Sequence, residues 1–300
     1  MDFDQLTTFV EVAKNGSFSL AGRKVFLSQS AVSAQIRQLE LEYGEKLFGR
    51  MGKSVRLTPA GEVLLDYAKR MIAMRQESHR AITDQAATPR GTIAIGANEA
   101  TCLYVLPDVF AEYQRLYPAV QISIYRNFSH KILEKVEDGS IDFGIVTLPV
   151  KSAALRVHPI FRDRVVLMTS PKNPLAQLKT VTAAEIAEHP LIVPKTGFTR
   201  QLLDKYFRPY RNHIRTAMEL PSVSMIKRFV AAGLGVSLIS ATYAADDAKA
   251  GKVKLIPLKD VELWRELGLV YRRDRHLPRA ASAFIAVIRQ RAATGQQAAE

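Results

Sequence analysis

Gln29, Ser30, Ser33 and Arg37 are the first side chains in this sequence whose types and spacing could do chemistry, since they share the exposed side near the start of one predicted helix. A glutamine amide can pair bidentately with adenine, a serine hydroxyl can donate or accept, and an arginine can reach guanine or a phosphate. A polar, donor-rich and barely charged helix start suits the major groove of DNA. Taken singly, each of these residues reads equally well as solvated helix surface. Lys53 and Arg56 form a second group, in the run Met51-Gly52-Lys53-Ser54-Val55-Arg56-Leu57, which reads as a hairpin with Gly-Lys at its tip. Basic residues there suit phosphates or the minor groove, although basic surface hairpins are common.

A third group lies beyond residue 91, where strands end and helices begin. Asn98 and Thr101, Ser129, the loop Thr196-Gly197-Phe198-Thr199, and Ser222 all sit at such junctions, and Thr147 closes a further strand. Helix N-termini present free N–H groups beyond the carboxyl ends of strands, which is where open α/β sheets bind ligands. Small hydroxyl residues and Gly197 at these ends suit a small anionic or polar effector, such as a carboxylate metabolite. Each Ser or Thr also reads as a simple helix cap. Between Lys195 and Arg228 eight bases (Lys195, Arg200, Lys205, Arg208, Arg211, Arg215, Lys227, Arg228) face only Asp204 and Glu219, as a solvated face or an anion-attracting rim.

The elements that must position these groups follow from periodicity. Leu6, Phe9, Val10 and Ala13 predict a helix over 3–14, ended by Asn15-Gly16, and Ser17 or Ser19 caps a second helix through Phe26. Ser28 is a good N-cap for a third, with Ala31, Val32, Ile36, Leu39 and Tyr43 as its buried stripe and Gly44 as its stop. Thr58-Pro59 opens a long helix to about residue 84, in which Leu64, Tyr67, Met71 and Met74 alternate spacings of three and four like a dimer seam. About 26 residues would extend about 40 Å, well past a ninety-residue domain. Residues 85–91 form a breaker-rich hinge. Strands and helices alternate beyond it, the pattern of a mostly parallel sheet with helices on both faces, in two lobes joined by two crossovers.

Composition sets limits. The formal charge is +13, but residues 1–90 hold 13 Lys+Arg against 10 Asp+Glu, so most of the surplus lies in the other part of the chain. No apolar run is long enough to cross a bilayer and the N-terminus has no basic leader pattern, so a cytoplasmic location is expected. The one cysteine, Cys102, excludes an internal disulfide and a cysteine-based zinc cluster, and reads as a small buried residue rather than a redox sensor. No phosphate loop, GxSxG, HExxH or GxGxxG occurs, so neither enzymatic activity nor a cofactor or metal is expected.

Leu27-Ser28-Gln29-Ser30-Ala31-Val32-Ser33, Gln35-Ile36-Arg37-Gln38-Leu39-Glu40, Leu47-Phe48-Gly49-Arg50 and Leu57-Thr58-Pro59-Ala60-Gly61-Glu62 together resemble LysR-type transcriptional regulators, in order and in spacing. The resemblance covers the whole chain. It implies an α-rich winged helix-turn-helix (1–58), a linker and dimerisation helix with hinge (59–90), and an α/β two-lobed, periplasmic-binding-protein-like effector domain (91–300). Lobe I would span about 91–161 and 267–300, and lobe II about 162–266. It further implies a homodimer or dimer of dimers on interrupted palindromes in double-stranded DNA, a small-molecule effector, and RNA polymerase as a partner where the regulator activates. Gln29 and Ser33 become base readers, Lys53 or Arg56 the wing contact, and Thr101 with the 196–199 loop the effector seat. Position 30, often proline in the family, is Ser30; position 34, often basic, is Ala34, which removes a contact there. An architectural DNA-binding protein that senses nothing would not need two hundred residues of ligand-binding fold.

Overall fold

A computed structural model describes residues 1–51, 54–83, 88–275 and 277–297, which divide into an N-terminal and a C-terminal compact unit. In the first, α1 (Phe3–Asn15) starts in a capping box between Asp2 and Gln5 and ends at Gly16, whose φ of 60° few other residues would adopt. Ser17 caps α2 (Phe18–Val25), and Ser28 caps α3 (Gln29–Tyr43) by accepting from the Ala31 N–H at 3.2 Å. The strands β1 (Phe48–Met51) and β2 (Ser54–Leu57) pair antiparallel, with Phe48 opposite Leu57. Thr58 then opens α4 (Pro59–Thr83), its hydroxyl accepting from the Gly61 N–H at 3.1 Å.

The core beneath these helices joins Leu6, Phe9 and Val12 of α1 to Ala21 of α2, Val32, Ile36 and Leu39 of α3, Leu47, and Leu64 and Ala68 of α4. Tyr43 departs from the expected buried stripe. It lies exposed in the last turn of α3, beyond the packed helices, and its hydroxyl donates to the Met1 sulfur. Gly22 permits the tight approach of α2 to the following turn, since a Cβ there would stand 2.6 Å from the Leu27 carbonyl oxygen.

The C-terminal unit runs β3 (Gly91–Ala97), α5 (Glu99–Tyr104), α6 (Leu106–Leu116), β4 (Val120–Arg126), α7 (Ser129–Glu137), β5 (Phe143–Thr147) and β6 (Leu155–Thr169). It continues through α8 (Ala183–Ala187), β7 (Leu191–Pro194), α9 (Phe198–Tyr206), β8 (Thr216–Leu220), α10 (Val223–Ala231), β9 (Ser237–Ser240) and α11 (Ala241–Lys249). The chain closes with β10 (Lys254–Ile256), β11 (Leu263–Arg272) and α12 (Arg279–Gln297). One sheet has the order β10-β6-β11-β5-β3-β4 with β9 also on β6, and a second pairs β7 with β8.

In the large sheet only the pairings β3–β4 and β3–β5 are parallel; β11 runs antiparallel to both β5 and β6, and β9 and β10 pair antiparallel with β6. This corrects the mostly parallel expectation. A chain that leaves one lobe and later returns must cross the junction in opposite directions, and the two crossings, β6 and β11, pair along ten residues. The first lobe closes over Ile93, Ile95, Phe143, Ile145, Leu267, Leu269 and Phe284, and the second over Leu167, Ile186, Leu191, Leu203, Val236 and Leu238. Between them Ala100 and its neighbour Tyr104 on α5 pack with Ile226 and Val230 of α10 and Tyr243 of α11. At about 25 cal/mol per Å² of buried apolar surface, that seam contributes to holding the lobes together.

Candidate nucleic-acid interface and ligand cleft

Burial of Val32, Ile36 and Leu39 fixes which side of α3 faces outward. Gln29, Ser30 and Arg37 are exposed and Ser33 is half-buried on that side, with Ala34 exposed among them and offering no donor. The Gln29 amide oxygen accepts from Ser19 Oγ of α2 at 3.4 Å, and the hydroxyls of Ser28 and Ser30 lie 2.9 Å apart. Arg56 is exposed on β2 opposite Gly49, while Lys53 lies outside the described residues.

The hairpin is tied down by the Val55 N–H, which donates to the Gly16 carbonyl at 3.3 Å, and by Glu40. Glu40 sits at the far end of α3 in the sequence, yet its carboxylate turns toward β1. It accepts from Lys46 Nζ at 2.7 Å and from the Leu47 N–H at 3.0 Å. Burial alone would push its carboxyl up, but the Lys46 ammonium and the N–H groups of Leu47 and Phe48 outweigh that and hold it below its ordinary value. Sequence patterning offers no sign of this fastening, because the partners lie six and seven residues on, across a turn.

On α4 the four seam residues divide. Leu64 is 6% exposed inside its own domain's core and Met71 packs against that core, whereas Tyr67 and Met74 are 55% and 67% exposed. Leu64 is therefore taken up internally, and the outward seam is narrower than the heptad spacing suggests.

Strand register assembles the ligand-cleft candidates on two edges. Ala97 pairs with Arg126 and with Ile145, so Asn98, Ser129 and Thr147 follow or close three neighbouring strands at their carboxyl ends. Pro194 pairs with Leu220, which places the 196–199 loop beside Ser222 in the same way. Glu99 joins the two edges: its Oε1 accepts from Ser222 Oγ at 3.0 Å and from Ser224 Oγ at 3.3 Å, and its Oε2 accepts from Arg126 at 3.3 Å. Ser224 also lies 3.2 Å from the Tyr104 hydroxyl.

Individual residues depart from their expected roles. Asn98 caps α5 by accepting from the Thr101 N–H at 2.9 Å. Thr101 itself is fully buried, and its hydroxyl has no partner among the described residues. At α7 Ser129 is the first helical residue, and two residues before it the Asn127 amide oxygen accepts from the Phe128 N–H at 2.9 Å. Gly197, at φ 98°, precedes α9, which has no side-chain cap; Thr196 is exposed, and Phe198 and Thr199 are half-buried. Ser222 caps α10.

The basic rim is thinner than its count. Arg200 takes both acids of the stretch, Asp204 at 2.8 Å and Glu219 at 2.6 Å. Lys227 is buried, with its Nζ 2.7 Å from Asp247, donating to the Tyr243 carbonyl and resting 4.0 Å from the Tyr104 ring centroid. Burial removes it from any solvent-facing rim.

A further buried pair went unread in the sequence. Arg265 of β11 and Asp163 of β6 face each other in register, 3% and 6% exposed, with a long ion pair of 3.9 Å. Arg265 donates to the Tyr243 hydroxyl, and Ser240 donates to Asp163. Desolvation lowers the Arg265 guanidinium to about 10, against the opposing pull of Asp163. These contacts fix α11 to both crossing strands. Cys102 is half-buried, and burial pushes its thiol up, away from the reactive thiolate. No group of three or more His, Cys, Asp or Glu side chains among the described residues could hold a metal ion, and none of their helices is long and apolar enough to cross a membrane.

A winged helix-turn-helix carrying a polar α3 face, with a two-lobed α/β domain after it, defines a regulator of the helix-turn-helix class. Residues 3–62 match the family described as bacterial regulatory helix-turn-helix protein, lysR family, and residues 86–293 match the LysR substrate binding domain. The chain belongs to the LysR family of DNA-binding transcriptional regulators, and residues 86–293 are its effector-binding domain. It is 30% identical over 289 residues to "Probable RuBisCO transcriptional regulator" of Synechocystis sp., covering 94% of this chain and 84% of that protein. Among solved structures it resembles a full-length single-residue variant of OxyR from Pseudomonas aeruginosa (TM-score 0.74, 23% identity, 96% and 95% of the two chains). It also resembles full-length CbnR complexed with its target DNA (TM-score 0.69, 19% identity, 97% and 99%).

Proposed function

We propose that this regulator reads an interrupted palindrome in double-stranded DNA as a dimer or dimer of dimers, and that a small polar or anionic effector held between the two lobes modulates it. Gln29 and Ser33 meet base edges in the major groove, Ser30 and Arg37 flank them, and Lys53 and Arg56 on the wing meet phosphates or the minor groove. The observation that carries this reading is the outward α3 face, held by a buried stripe on its other side and beside a fastened hairpin. That CbnR, of the same fold, is solved on its target DNA supports laying α3 along the groove. Tyr67 and Met74 supply the outward dimer seam of α4.

The effector seat comprises Asn98, Thr101, Ser129, Thr147, Thr196, Gly197, Phe198, Thr199 and Ser222. The buried Thr101 hydroxyl, without a partner among the described residues, and the start of α9, without a side-chain cap among them, support it, since both leave hydrogen-bonding capacity unused there. The mechanism is a population shift: effector changes the balance between open and closed lobes, and half-site spacing or DNA bend changes with it. The test is footprinting of the promoter DNA beside the chain's own gene, with and without a carboxylate found by thermal-shift screening. A change in footprint extent or bend angle is expected. Identical footprints at saturating ligand would refute modulation while leaving DNA reading intact.

A further inference from the structure

Phe26 occupies the turn between α2 and α3 with φ 58° and ψ 37°, and its N–H donates to the Gly22 carbonyl. Among the described residues it is the one non-glycine with positive φ, and it is 94% exposed. Both facts run against folding. Left-handed backbone is strained for an aromatic residue and is carried more easily by Asn or Gly, and an exposed ring gains nothing from burial. A local choice that opposes stability points to a use outside the folded chain.

The surroundings identify that use. Arg23 and Lys24 are exposed in the last turn of α2, and exposed Gln29 and Ser30 begin α3 three residues after the ring. No acidic residue occurs between Glu11 and Glu40. A ring standing out from an acid-free, basic and donor-rich surface fits a polyanion with apolar facets. The half-exposed Leu20 and the neighbouring Leu27 are small beside that charge pattern.

We infer that Phe26 is a DNA contact, its ring lying against thymine methyl and deoxyribose surface at the edge of the site that α3 reads. The contact is apolar and releases no counterion, so it is independent of salt. The inference rests on the proposed reading by α3.

The test uses the full chain, a duplex recovered by wild-type selection from a random pool, and the variants Phe26→Asn and Phe26→Leu. Asn accepts the turn's backbone, so Phe26→Asn is expected to melt a few degrees higher and yet bind about tenfold more weakly, with an unchanged slope of log K against log salt. Phe26→Leu, which keeps an apolar side chain, is expected to recover part of the affinity. Wild-type affinity in Phe26→Asn would overturn the inference, as would a shallower salt slope, which marks a phosphate contact. A changed oligomeric mass at assay concentration would also overturn it by assigning the ring to a protein interface. If wild type selects no sequence, the reading by α3 falls with it; if wild type selects and Phe26→Asn matches it, only this inference falls.

Discussion

Glu99→Ala should shift the lobes toward the open state, and the structure sets the size of the shift. The Glu99 carboxylate accepts from Ser222 at 3.0 Å and Ser224 at 3.3 Å, both on the second lobe. Arg126, its third partner, closes β4 within the first lobe and accompanies Glu99 in either state, so that pair cancels. A hydrogen bond to a charged group contributes about 1.5–3 kcal/mol when shielded. The Glu99 side chain is 32% exposed, which screens each contact to roughly 0.5–1 kcal/mol. Together they favour closure by about 1–2 kcal/mol, a factor of about 5–30 in the closed-to-open ratio. The apolar seam of Ala100 and Tyr104 against Ile226 and Tyr243 remains, so the variant still closes part of the time. Hydrogen exchange followed by mass spectrometry reads this directly. Peptides covering α5 and the first turn of α10 should exchange about 5–30 times faster in the variant, with α8 and α12 unchanged. Glu99→Gln should fall between. Wild-type exchange in the α5 and α10 peptides of Glu99→Ala would refute the reasoning.

Two further predictions concern the reading head. Gly22→Ala places a Cβ 2.6 Å from the Leu27 carbonyl oxygen, a backbone atom that cannot swing away, and should cost about 1–3 kcal/mol in urea unfolding of the N-terminal transition; an unchanged midpoint would show that the turn relaxes freely. Because Glu40 is held below its ordinary value of 4.5, its contribution to stability is fully present above that pH and is lost as pH falls through the lowered value. Urea midpoints taken from pH 6 to pH 3 should fall less steeply in Glu40→Gln than in wild type, and parallel curves would remove Glu40 from the account.

The N-terminal elements were legible because each is punctuated locally: Gly16 and Gly44 stop helices, Ser28 and Thr58 start them, and the apolar period in between is unambiguous. Lobe junctions were harder. β6 carries Pro159 and four charged residues within 156–164, which disguise its first ten residues, yet it is paired along that length with β11. α5 and α6 are separate helices, broken at Val105 before Pro107, and apolar spacing gives no sign of the short α5 ahead of that break. Glu99 and the Arg265–Asp163 pair were invisible because their meaning is tertiary: Glu99 meets serines more than 120 residues away, and Arg265 meets Asp163 only through strand register. Phe26 reads in the sequence as the end of a helix, and only the backbone angle sets it apart.

The central claim is that the outward face of α3 reads bases, and Gln29→Ala tests it most directly. Binding of wild type and variant would be compared, at one salt concentration, across all single-base changes in a duplex that wild type has selected. The account predicts that the variant loses preference at one base pair in each half-site, at a cost of about 1–3 kcal/mol, with discrimination elsewhere intact. Arg56→Ala provides the contrast, weakening every sequence about equally and reducing the salt slope by about one. An equal loss across all sequences from Gln29→Ala would contradict the account.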